Sequence, residues 1–89
     1  MHPYLAMIRS LDDRGFIVEY PDLPGCSAVA EDFRGAQALA RTLLPEHLLV
    51  LQAQGIPLPE PRTMKEMQAS GLADGAIPVL VPVPLNPAV

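Results

Sequence analysis

The sequence predicts a single α+β domain with the element order β-β-β-α-(α)-β, the second helix being short. Three features carry that prediction. Two short apolar runs flank a glycine-bearing turn near the N-terminus, a long 3.6-residue periodicity fills the middle, and a proline-interrupted apolar run comes last. A chain of 89 residues holds one core and not two, so residues 1–89 form one domain. It has no internal repeat and no linker long enough to divide it.

Tyr4 to Arg9 is short and apolar, as a strand requires. Asp12-Asp13-Arg14-Gly15 follows as a hairpin turn, in which Gly15 can take a positive φ without steric cost. Phe16 to Tyr20 is β-branched and aromatic and should pair back on the first strand. Phe16, Val18 and Tyr20 share one face of it, Ile17 and Glu19 the other. Pro21-Asp22-Leu23-Pro24-Gly25 breaks the ladder, because two prolines cannot donate to it, and Cys26 to Ala30 resumes as a third strand.

Asp32 is placed to N-cap a long helix. Its apolar stripe is Phe33, Ala36, Leu39, Ala40, Leu43, Leu44, His47, Val50 and Leu51, opposite Arg34, Gln37, Arg41 and Gln52. Pro45 should bend this helix without ending it. Gly55 is a natural C′ residue, and Pro57, Pro59 and Pro61 keep the chain extended beyond. Thr63-Met64-Lys65-Glu66 has the pattern of a capping box, opening a short helix to Ser70 that Gly71 closes. In the last run, Ile77 to Leu85, prolines stand at 78, 82 and 84. Alternate residues of a strand direct their amides to opposite edges, so all three absences fall on one edge. This is an edge strand, paired through its odd-numbered residues and blunted on its other side.

Composition narrows the function. The formal net charge is −4 and the six basic residues are dispersed, which argues against a phosphate-binding surface and suits a basic partner. One cysteine, Cys26, precludes an internal disulfide and fits a reducing compartment. The start, Met1-His2-Pro3-Tyr4, lacks the regions of a signal peptide, and no apolar run reaches the ~18 residues of a membrane span. The expected location is the cytoplasm, with no membrane contact.

No catalytic machinery is visible. A two-metal nuclease needs converging carboxylates, one of them from the first strand, and Tyr4 to Arg9 has none. His2, His47 and Cys26 lack metal-ligand spacing, and His47 reads as a packed side chain. Neither a nucleophile elbow nor a phosphate-cradling loop occurs. The chain is expected to be no enzyme and to need no cofactor or metal.

The run Gly15 to Cys26, above all Pro21-Asp22-Leu23-Pro24-Gly25-Cys26, resembles the signature of HicB-like antitoxin domains. The resemblance continues through Asp32, Ala36, Ala40 and Leu44 to Gly55-Ile56-Pro57, with Gly35 where the family usually has Glu and Ala30 where it usually has Gly. It implies a partial ribonuclease-H-like fold without the nuclease carboxylates, strand order 3-2-1-4, and helices on one face. It also implies a partner, a small basic HicA-type toxin that cleaves messenger RNA. The toxin's RNA-facing surface would be covered by this chain. Candidate contacts are Asp12, Asp13, Glu19, Asp22 and Leu23, while Pro21, Asp22, Pro24, Gly25 and Cys26 form the fold signature.

Antitoxins of this family usually continue into an operator-binding module, and the sequence reaches Val89 without one. No direct nucleic-acid binding is therefore expected. If both helices share one face, Leu5 and Met7 are exposed when Tyr4, Ala6 and Ile8 pack inward. That outer face would be too apolar for water, so a homo-oligomer is expected, joined through the open face or the C-terminal tail. The competing reading is a stand-alone homo-oligomeric protein whose surface serves itself or a small ligand.

Overall fold

The computed structural model describes residues 3–83. A four-stranded antiparallel sheet is built from β1 (Tyr4–Ser10), β2 (Phe16–Glu19), β3 (Ser27–Ala30) and β4 (Ile77–Val81), in the order β3-β2-β1-β4. Between β3 and β4 come a long helix, α1 (Phe33–Ala53), and a short one, α2 (Met64–Ala69). Pro84 and Leu85 of the expected last strand lie outside the described residues.

The hairpin between β1 and β2 closes through a single 3₁₀ turn, Asp12–Arg14. Gly15 sits there at φ 95°, and a Cβ would stand 2.2 Å from the Ala30 carbonyl oxygen. Only glycine fits that approach. At the far edge, Pro78 lies opposite Met7 in register. A residue without an amide can occupy only a non-hydrogen-bonded position, so Ile77, Val79 and Val81 pair with β1 and the proline edge faces outward, as the parity of the prolines predicts.

The first face of the sheet presents Tyr4, Ala6, Ile8, Val18, Tyr20 and Val81, all buried against Ala36, Ala40, Leu44 and Leu48 of α1. Asp32 caps α1, its Oδ1 accepting from the Gly35 amide at 2.6 Å. The helix continues through Pro45. It ends in a Schellman arrangement, in which Ile56 N–H donates to the Leu51 carbonyl and Gly55 N–H to that of Gln52. The buried row steps by four residues, and such a row is inclined to the helix axis. It therefore drifts to Leu48 and away from Val50, which is 49% exposed, and His47 is only half-buried.

The second face differs from expectation. α2 does not join α1; it lies across the opposite side of the sheet, where Met67 is fully buried with Leu5 and Met7. Helices thus cover both faces, and the physical reason is the alternation of β1. Leu5 and Met7 form an apolar set of their own, and six helical residues are enough to cover it. Thr63 and Glu66 make the reciprocal capping box. A second Schellman closure at Gly71 brings Leu72 back onto Met67. The cover is partial: Val29 and Leu80 on the same face remain 57% and 62% exposed.

Candidate partner-binding surface

The signature run folds as two consecutive tight turns. Leu23 N–H donates to the Tyr20 carbonyl at 2.9 Å and Cys26 N–H to the Leu23 carbonyl at 3.0 Å. Pro21 and Pro24 each occupy the second position of a turn, where their fixed φ is favourable. Gly25, at φ 85°, occupies the third position of the second turn. Tyr20 N–H then donates to the Cys26 carbonyl at 3.1 Å, so β3 begins in register with β2. The motif is a compact reversal whose apolar members, Leu23 and Cys26, turn into the first-face core.

Asp22 is fixed at this reversal. Its carboxylate accepts from the Arg62 backbone amide at 2.9 Å and from Arg62 Nε at 2.5 Å, while Arg62 also reaches the Pro21 carbonyl. The Asp22 side chain is 5% exposed. Tyr4 donates its hydroxyl to the Pro59 carbonyl. Both contacts tie the segment after α1 to one end of the sheet, where the chain passes from the first face to the second. Beyond α2, Arg9 donates to the Leu72 carbonyl at 2.7 Å and to that of Asp74, and its Nε lies 3.5 Å from Glu19. Two arginines thus hold α2 at its two ends.

These contacts leave a groove of about 280 Å3 on the second face. Met7, Arg9 and Glu19 line it together with Pro21, Leu23, Pro24, Gly25 and Cys26 of the reversal, and Leu72 closes one side. Of the candidate contacts, Glu19 and Leu23 meet here. Leu23 is only 1% exposed and Asp22 is turned inward to Arg62, so neither side chain stands out from the surface. Asp12 and Asp13 stand fully out at the hairpin turn, apart from the groove. The residues that sequence reasoning missed are Arg9, Arg62 and Leu72. Arg62 lies 40 residues from its partner, and no local pattern signals such a contact.

Titratable groups near the site are tuned toward their neutral forms. Burial pushes the Cys26 thiol up to about 11. Tyr20, whose hydroxyl donates to the Ala40 carbonyl at 2.5 Å, is raised well above 10, again by burial. Tyr4 is raised by burial and then by the charges of Asp22 and Glu60. A buried thiol with a raised pKa is a poor nucleophile. Among the described residues, no group of three or more His, Cys, Asp or Glu side chains could hold a metal ion. No described helix is long and apolar enough to cross a membrane.

A family model for the HicB-like antitoxin of bacterial toxin–antitoxin systems matches residues 4–88. The chain belongs to the HicB-like antitoxin family. Solved members share its fold. The N-terminal domain of antitoxin HicB from Burkholderia pseudomallei is 24% identical with a TM-score of 0.74, over 93% of this chain and 99% of that one. The longer HicB antitoxin of the same organism is 26% identical with a TM-score of 0.80, over 96% of this chain and 65% of that one. This HicB-like chain therefore spans about two thirds of that antitoxin's length. A chain of the HicA3–HicB3 toxin–antitoxin complex is 23% identical with a TM-score of 0.71, over 93% and 99%. The strand order that the resemblance implies is the one observed. Comparison with curated proteins gives no match.

Proposed function

We propose that this domain neutralises a small basic HicA-type toxin by binding over its RNA-facing surface, and that it acts by binding and not by catalysis. Family membership carries the reading. The solved complex of HicA3 with HicB3 contains a chain of this fold, and the formal charge of −4 favours a basic partner. The surface offered to it comprises Asp12 and Asp13 at the hairpin turn, and Glu19 beside the groove that Leu23 and the Asp22-anchored reversal shape. The domain works in the cytoplasm, without a cofactor and without touching DNA or RNA itself.

The test is capture of a basic partner from the native cell at low and high salt, followed by binding measurements on charge-reversed variants. The purified pair should associate less tightly as salt rises. Asp12→Lys with Asp13→Lys should weaken association about tenfold, chiefly through a slower on-rate. Failure to recover any small basic protein at either salt would count against the toxin-binding reading. Unchanged affinity in the charge-reversed variant would move the contact away from the acidic turn.

A further inference from the structure

Sulfur is divided unevenly between the two faces of the sheet. The chain has four methionines, and the three among the described residues, Met7, Met64 and Met67, all gather on the second face. The first-face core holds twelve buried residues and no methionine. Its sulfur is the Cys26 thiol, pushed up to about 11 by burial, and a protonated thiol reacts slowly with peroxides. A thioether has no proton to lose, so only burial protects it.

That protection is graded. Met64 stands at the first position of α2 and is half-buried. Met67 follows about one turn later on the same side of the helix and is fully buried with Leu5 and Met7. A six-residue helix has little stability of its own, and Met67 is the buried side chain that seats it. Leu72 folds back onto Met67 beyond Gly71 and also walls the groove beside Glu19. The seat of α2 and the wall of the groove therefore both depend on one thioether.

We infer that Met64 and Met67 form an oxidation site at which hydrogen peroxide unseats α2. In each step the thioether sulfur attacks one peroxide oxygen, so that an S–O bond forms and the O–O bond breaks. The departing hydroxide takes the proton of the transferred oxygen and leaves as water. Sulfur loses two electrons and the peroxide gains them, giving methionine sulfoxide. Met64 reacts first, because it is the partly exposed member of the three. A sulfoxide there loosens the first turn, and each opening of α2 brings Met67 within reach. Once oxidised, Met67 carries a strong acceptor oxygen. The side chains around it, Leu5, Met7, Leu72, Ala73 and Ala76, offer no donor, so reseating leaves that oxygen desolvated. Arg62 and Arg9 hold the flanking segments through polar groups that peroxide leaves unchanged. The released helix therefore stays tethered at both ends and can return after reduction.

The experiment treats the full chain with hydrogen peroxide, maps sulfoxides by peptide mass spectrometry, and follows amide exchange before and after. Met64 should oxidise about tenfold faster than Met67 or more, since Met67 waits on local opening. In chains oxidised at both positions, the amides of residues 64–76 should exchange about tenfold faster or more, while those of α1 keep their protection. Methionine sulfoxide reductases with dithiothreitol should restore the original rates. Met64→Leu with Met67→Leu nearly conserves volume and keeps Met1 and Met7; it should abolish the acceleration. Met67→Gln should open α2 without oxidant, and the leucine pair answers the question even if that variant fails to fold. A Met67 that stays reduced when Met64 is fully oxidised would overturn the inference. So would unchanged exchange in α2 after oxidation at both positions, acceleration that persists in the leucine pair, or oxidation of Cys26 ahead of Met64.

Discussion

The two faces of the sheet are covered by different means. On the first, a 21-residue helix lays an apolar row across the strands, Tyr20 adds a buried hydrogen bond and Tyr4 a half-buried one. On the second, a six-residue helix contributes one fully buried side chain, Met67, and is held at its ends by Arg62 and Arg9. The first face is stable because it removes a large apolar area from water. A helix as short as α2 has little stability of its own. Its cover depends on polar contacts to distant parts of the chain. The difference teaches that a small apolar set can be protected by stapling a short segment over it, at the expense of leaving neighbours such as Val29 and Leu80 in water.

The strongest way to break this contrast is to compare cavities on the two sides. Leu44→Ala should cost about 3 kcal/mol of unfolding free energy, read by urea denaturation, with the whole domain losing stability together. Met67→Ala should cost about 2 kcal/mol. In that variant the amides of α2 should exchange early while those of β1 and α1 stay protected. Simultaneous exchange of α1 and α2 in the Met67 variant would show that the two faces form one cooperative unit.

A smaller effect sharpens the role of the staples. Asp22→Asn replaces an acceptor oxygen with an amide group facing the donors of Arg62, and should cost about 1.5 kcal/mol. Exchange should again begin in α2 and the segment before it. A loss confined instead to β3 would place the importance of Asp22 in the reversal alone.

A further expected effect is alkaline, and it belongs to the first face, where Cys26, Tyr20 and Tyr4 all lie. Their folded pKa values are raised, so the folded chain keeps protons that the unfolded chain has released. Stability is therefore full below about pH 9 and falls as pH rises through 11 for Cys26, whose ordinary value is 9.0 and folded value about 11. The tyrosines add to the loss above pH 10. Thermal melts at rising pH should show this decline, and Cys26→Ala should remove its first part. A decline starting at the same pH in that variant would assign it elsewhere.

What could be read from the residues alone were features whose causes lie within a few positions. The strands follow from alternation, the caps at Asp32 and Thr63 from three-residue reach, the tight reversal from Pro and Gly, and the edge position of β4 from the parity of its prolines. The family signature, too, was legible because its turns are local. The helical stripe was legible except at its far end, where the wheel favours His47 and Val50 and an inclined row of contacts selects Leu48. The side on which α2 lies, the inward turn of Asp22 and the groove beside Glu19 were decided only in three dimensions. They rest on Asp22 with Arg62 and on Arg9 with Leu72, pairs separated by 40 and 63 residues. No periodicity couples positions that far apart. Only the path of the folded chain around the end of the sheet brings them together.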